Sequence, residues 1–68
     1  MSKYIDPKEA LGKRCLVRKG YSSHYDEVRL VEISPSGKMV KLKWPFGAEM
    51  WEEQDEYYIE EILPEVNP

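Results

Sequence analysis

Residues 34–44, SPSGKMVKLKW, carry the strongest structural signal in the chain, a turn followed by a strand. Pro35 presets φ at the second position of a turn, and Gly37 supplies the positive φ that the end of such a turn often needs. From Val40 to Trp44 every second residue is apolar, and the residues between them are lysines. This alternation is typical of a strand that buries one face against a core.

Two more strands are predicted before this turn, at residues 14–18 and 25–33, joined by a loop at residues 19–24 that contains Gly and Ser. Their period-two pattern predicts which side chains face the core. Asp26 and Arg29 are predicted to lie off that face. The apolar residues predicted to lie on it are Cys15, Val17, Val28 and Leu30.

The chain after residue 44 predicts a second reversal and two short strands. Residues 45–47, Pro-Phe-Gly, turn the chain, residues 50–51 form a short fourth strand, and residues 52–56 form a polar loop. Ile59 and Ile62 are three residues apart, a spacing that predicts a 3₁₀ turn before the last short strand.

A single helical turn is predicted near the beginning of the chain. Asp6 is a good N-cap, Pro7 suits the first helical position, and Gly12 can end the turn with a positive φ. The predicted organisation is an N-terminal arm with this turn at residues 1–11, a barrel at residues 12–63 and a tail at residues 64–68.

A chain of 68 residues is long enough for one domain with a small core. Short antiparallel strands spaced at roughly 10 residues predict an all-β fold, a closed barrel or a strongly bent sheet. Closure would remove the exposed edges of a small sheet. Cys15 is the only cysteine, so no internal disulfide forms, and together with the single His24 it cannot build a structural zinc site.

The net charge of −3 hides a polarised chain. Residues 1–48 carry ten basic and five acidic residues, a balance of +5, and residues 49–68 carry eight acidic residues and no basic one, a balance of −8. Such asymmetry indicates either an interaction surface or a basic and an acidic segment whose charges neutralise each other across neighbouring strands.

The order of these features resembles that of the Tudor-type members of the SH3-like barrels, from about Gly12 to Leu63. The resemblance implies a single barrel of about five short antiparallel strands. The matching motifs, in chain order, are Gly12-Lys13-Arg14-Cys15-Leu16-Val17, Tyr25, Ser36-Gly37, Val40-Lys41-Leu42-Lys43-Trp44, Phe46-Gly47 and Ile59-Glu60-Glu61-Ile62. Val17 stands where the family has a small residue.

Three further positions depart from the family pattern. Val28 follows Tyr25 by three residues instead of two, so either a β-bulge separates them or Tyr25 points to the other face. Trp44 and Phe46 are one residue closer together than the family's two aromatic positions, and Ala48 stands where methylarginine-binding members place Asn.

The resemblance also implies an aromatic ligand-binding mouth. Tudor-type domains that bind methylated Lys or Arg line a cage with rings, because such a cation is weakly hydrated and attracted to a ring face. The matching positions here hold Tyr21, Tyr25, Trp44 and Phe46. Alternatively, Trp44 continues the apolar face of its strand and caps the core. We predict a module that binds a protein or peptide, with a basic or methylated ligand favoured by the adjacent carboxylates.

Two alternatives stay open. A nucleic-acid-binding barrel would contact phosphates through Arg14, Arg18, Lys41 and Lys43 and stack bases on exposed tyrosines, although an isoelectric point of about 5.1 is low for such a domain. A structural or assembly subunit of a phage or mobile-element complex would use exposed aromatics as subunit contacts, and the short chain is typical of complete gene products of that kind.

No catalytic, metal or cofactor site is expected. The carboxylates of residues 49–61 form a dense run typical of a solvated loop, and Cys15 suits a small buried position. The glycines are scattered singly near turns, without a phosphate-binding loop. The sequence has no signal-peptide pattern and no run of roughly 20 apolar residues. With an unpaired cysteine, this predicts a cytoplasmic protein without membrane contact.

Overall fold

The computed structural model describes residues 5–65, which form an antiparallel sheet of five strands in the order β4-β3-β2-β1-β5. A helical turn, α1, precedes the sheet, and a 3₁₀ turn at Gln54–Glu56 lies directly before β5. The all-β class, the five antiparallel strands and both short turns are therefore confirmed. The elements are α1 (Pro7–Ala10), β1 (Arg14–Lys19), β2 (Tyr25–Ile33), β3 (Met39–Lys43), β4 (Glu49–Glu53) and β5 (Tyr57–Ile62).

The sheet is open, with β4 and β5 as its two edges. The expectation that strand pairing closes the barrel is therefore wrong within residues 5–65. Single backbone hydrogen bonds fix the position of the segment that joins the two edge strands. Gln54 N donates to the Lys38 carbonyl (2.8 Å), and Gly20 N donates to the Glu56 carbonyl (2.7 Å). The 3₁₀ turn thus links the β2–β3 and β1–β2 connections without a ladder between β4 and β5.

The core lies on one side of the sheet, which we call the core face, and the opposite side is the outer face. Every second residue along the middle of β1, β2 and β3 is buried, as the period-two pattern predicts. The arm before β1 contributes as well, since Ala10 is fully buried and Ile5 packs against the core. The buried side chains are Ala10, Cys15, Val17, Val28, Leu30, Val40, Leu42 and Ile59.

Local sequence signals explain the turns. Lys8 N donates to Asp6 Oδ1 (2.9 Å), so Asp6 caps α1 as predicted, with Pro7 at the first helical position. In the β2–β3 turn, Gly37 has φ of +78° and donates its N–H to the Ser34 carbonyl (2.9 Å). Glycine adopts this left-handed conformation at little steric cost, which fixes the reversal between the two strands.

A β-bulge explains the spacing of Ile59 and Ile62. Val17 is opposite Ile59 and Cys15 is opposite Ile62, with a register shift after Leu16. The extra residue in β5 allows two side chains three positions apart to pack against the same core. The 3₁₀ turn inferred from this spacing lies earlier, at residues 54–56, so its predicted position was wrong.

The register of β1 and β2 explains the unusual spacing after Tyr25. Tyr25 pairs with Arg18 and Val28 pairs with Cys15, without a shift between them. No bulge separates Tyr25 from Val28, and Tyr25 therefore lies on the outer face. Asp26 lies on the core face, contrary to the prediction, because it continues the alternation of the buried residues to the exposed end of β2.

Candidate functional site

Three connections of the sheet meet at one end, which we call the loop end. Because the paired strands are antiparallel, the β1–β2 connection (residues 20–24) and the β3–β4 turn (residues 44–48) lie at the same end. The beginning of β5 lies there too, since Tyr57 is opposite Lys19 at the end of β1. Residues far apart in sequence therefore surround one end of the core.

The four aromatic residues predicted to form a mouth lie at the loop end but not on one surface. Tyr21 and Phe46 are exposed in the two connections, with relative exposures of 105% and 80%. Tyr25 is exposed on the outer face, whereas Trp44 is half-buried and packs against the core. Tyr25 and Trp44 therefore project to opposite faces of the sheet. Their role in ligand binding stays a prediction.

A different ring, Tyr57, lies at the loop end and is subject to the negative charge of three carboxylates. Tyr57 is half-buried against the core. Burial raises the pKa of its phenol, and the negative charges of Glu52, Asp26 and Glu56 raise it further. These carboxylates come from β4, β2 and the 3₁₀ turn. We call Tyr57 and these three acidic residues the acidic mouth.

The acidic mouth already holds one cation. The Lys19 Nζ atom lies 5.9 Å from the centroid of the Tyr57 ring, within the range of a cation–π interaction. Within residues 5–65, the side chains of Asp26, Glu52 and Glu56 form no ion pair or hydrogen bond. Three carboxylates against one ammonium leave a charge of −2, which favours an additional cationic group.

Sequence reasoning missed the acidic mouth. The prediction of a solvated run of carboxylates at residues 49–61 does not connect Glu52 or Glu56 with Tyr57. The usable signal was the period-two alternation, which places Tyr57 on the same strand face as Ile59. That signal does not bring Asp26 to Tyr57, because the approach depends on the pairing of β5 with β1.

The basic front and the acidic end of the chain neutralise each other across the sheet, as one of the two alternatives predicted. The ion pairs found among residues 5–65 are Arg14–Glu27, Arg14–Glu65, Arg18–Glu60, Arg29–Glu65 and Lys41–Glu49, with N–O distances of 2.6 to 3.9 Å. Three of the four residues predicted to contact nucleic acid are therefore paired with carboxylates. The fourth, Lys43, forms no ion pair in this part of the chain.

Burial of Cys15 predicts a loss of stability at alkaline pH. Burial raises the pKa of its thiol from 9.0 to about 11. The unfolded chain thus loses the proton first, so stability is complete below pH 9 and falls by about 1.4 kcal/mol per pH unit between pH 9 and 11. Urea denaturation at several alkaline pH values measures this slope.

The control for this prediction is Cys15→Ala, which removes the thiol and keeps every other titrating group. We expect the variant to be less stable at neutral pH but to lose less stability as the pH rises. Equal slopes for the two proteins would contradict a raised thiol pKa.

Within residues 5–65, no group of three or more His, Cys, Asp or Glu side chains is arranged to hold a metal ion. In the same residues, no helix has the length and apolar character needed to cross a membrane. Comparisons with family models, with curated proteins and with solved structures find no match.

Proposed function

We propose that this chain is a small non-enzymatic interaction module of the SH3-like, Tudor-like type, and that it binds a basic segment of a partner protein at the acidic mouth. The observation that carries the proposal is the half-buried ring of Tyr57. Lys19 Nζ already lies 5.9 Å from its centroid, and the negative charges of Glu52, Asp26 and Glu56 raise the pKa of its phenol. None of the three is neutralised by an ion pair within residues 5–65. The five-stranded sheet and the 3₁₀ turn before β5 support the SH3-like part of the proposal.

The chemistry of the mouth selects a cation. A Lys or Arg side chain would gain attraction from the carboxylates and from the face of Tyr57, each worth roughly 0.5–1 kcal/mol at a partly exposed position. Lys19 shows that an ammonium group can reach this ring face. Exposed Tyr21 and Phe46, at the same end of the sheet, offer apolar area to residues that flank the basic one.

These magnitudes predict weak binding that depends on salt. A few partly exposed charge contacts, offset by the cost of ordering the peptide, correspond to dissociation constants in the micromolar to millimolar range. Lys19 competes with the ligand, so Lys19→Gln should tighten binding. The screening of exposed charges means that high salt should weaken it.

The test is an NMR titration of amide chemical shifts with a short alternating Ala-Lys peptide, unmethylated and trimethylated. Glu52→Gln should weaken binding about fivefold, since one exposed charge pair is worth up to about 1 kcal/mol. The matched control is Glu53→Gln. Glu53 is the next residue of β4, is exposed and lies on the opposite face, so its variant should bind like the wild type.

Two outcomes would contradict the proposal. Equal effects of Glu52→Gln and Glu53→Gln would show that general negative charge, and not the acidic mouth, attracts the peptide. Tighter binding of a short oligonucleotide, with shifts around Lys41 and Lys43 that vanish at high salt, would favour the nucleic-acid alternative.

A further inference from the structure

A groove lies at the end of β3, bordered by charged residues of the outer face and by Trp44 and Pro45. Its open volume is about 180 Å³. Its charged residues belong to the outer face, whereas the acidic mouth belongs to the core face, so the two sites are separate. We call it the basic groove, lined by Arg14, Glu27, Val28, Arg29, Lys43, Trp44 and Pro45.

Three cations form a row across this groove. Arg14 is directly opposite Arg29 in the β1–β2 pair, and Arg29 is directly opposite Lys43 in the β2–β3 pair. Like charges that face each other on neighbouring strands destabilise a sheet. The row is therefore unfavourable unless an anion lies against it.

Glu65, in the segment after β5, supplies one such anion. Arg29 donates two bonds to its carboxylate, from Nη1 to Oε1 (2.9 Å) and from Nη2 to Oε2 (3.2 Å). Arg14 Nε lies 3.9 Å from Glu65 Oε2, and Arg14 Nη2 donates to the Pro64 carbonyl (2.6 Å). The hydrogen bond between Arg29 and Glu65 lowers the pKa of the carboxyl group and raises that of the guanidinium. Two arginines that line the groove thus already pair with a carboxylate, Arg29 in the bidentate manner typical of arginine.

Glu65 pairs with only two of the three cations of the groove. Lys43 forms no ion pair within residues 5–65, and the volume beside Trp44 and Pro45 is open. Arg14, Arg29 and Lys43 supply three positive charges, and Glu27 and Glu65 supply two negative charges, which leaves +1. A ligand with a second carboxylate and an apolar neighbour would use contacts that the chain's own segment does not use.

We propose that the basic groove binds an acidic segment of a partner protein, and that Glu65 pairs with the two arginines of the groove when the partner is absent. The guanidinium of Arg29 can pair with one carboxylate, and the ammonium of Lys43 can pair with a second. The side chains of Trp44 and Pro45 can pack against an apolar residue. A phosphate backbone fits less well, because Glu27 lies in the groove and a single row of three cations offers few phosphate contacts.

A binding experiment with the 68-residue chain tests this proposal directly. The probe is a capped hexapeptide with two adjacent glutamates between a proline and a leucine, and its counterpart has glutamine at both positions. Tethered Glu65 competes at an effective concentration in the millimolar range. Glu65→Gln should therefore lower the dissociation constant of the acidic peptide at least fivefold, as measured by NMR shifts at Arg29 Nε and at the amides of β2.

Matched variants on the outer face locate the binding. In the Glu65→Gln background, Lys43→Gln should weaken binding of the acidic peptide severalfold. Lys41→Gln, two residues earlier on the same face of β3 but outside the groove, should not. Both lysines lie at the surface, so both variants are expected to fold.

Three results would overturn the proposal: equal affinity of the wild type and Glu65→Gln, binding of the glutamine peptide as tight as that of the acidic peptide, or equal effects of the two lysine variants. A short single-stranded oligonucleotide that binds the groove more tightly than the acidic peptide would also overturn it, in favour of phosphate.

Discussion

Leu30→Ala is expected to remove a large part of the protein's free energy of unfolding. Leu30 is completely buried in β2, the central strand of the sheet. Removing such a side chain costs about 3 kcal/mol or more, because the cavity only partly collapses. A 68-residue domain has a total stability of roughly 3–10 kcal/mol, so one deletion removes much of it. Far-UV circular dichroism, amide dispersion and urea denaturation measure the loss.

Leu11→Ala is the matched control for this change. Leu11 has the same side chain but is 47% exposed, so its truncation should cost less than about 1 kcal/mol and leave the spectrum native. If Leu30→Ala kept the urea midpoint of the wild type, Leu30 could not be the centre of the core. Similar losses in both variants would mean that leucine truncation acts through the unfolded state.

Trp44→Ala is expected to lower the free energy of unfolding by about 2 kcal/mol or more. Trp44 is half-buried against the core at the loop end, so truncation exposes apolar surface that its ring now covers. Phe46→Ala, two residues further along in the same turn, should change stability by less than about 0.5 kcal/mol, because Phe46 is 80% exposed. Urea denaturation of both variants gives the comparison.

The Trp44 variant also separates two roles for its ring. A large loss of stability assigns Trp44 to the core, as the half-buried packing indicates. An unchanged stability with loss of the basic peptide would instead make Trp44 a ligand-contacting residue of a cage. Trp44→Phe retains most of the apolar volume and should recover much of the stability only in the first case.

Local patterns were sufficient to predict most of the strands. The alternation from Val40 to Leu42 and the turn at Gly37 are decided by neighbouring residues, so β3 and its preceding turn follow from short windows. The open edges and the bulge after Leu16 could not be derived in this way. They depend on the pairing of β1 with β5, which joins residues 38 to 47 positions apart.

The candidate sites were harder to predict because they consist of non-local contacts. The acidic mouth joins Asp26 to Tyr57 through the register of three strands, and one error in the assigned face of Asp26 was enough to hide it. The basic groove needs Arg14, Arg29 and Lys43 in one row, and sequence spacing does not reveal such a row. The sequence shows which residues are aromatic, but it does not show on which face of the sheet each ring lies.

Both edges of the open sheet carry carboxylates, with Glu49, Glu52 and Glu53 on β4 and Glu60 and Glu61 on β5. If a second copy added a strand to either edge, glutamates would face glutamates, and like charges in register oppose pairing. Glu49 and Glu60 are already paired with Lys41 and Arg18, so it is the charge of Glu52, Glu53 and Glu61 that opposes the addition of a second copy at these edges. Because this repulsion depends on ionised carboxylates, their protonation in acid removes it.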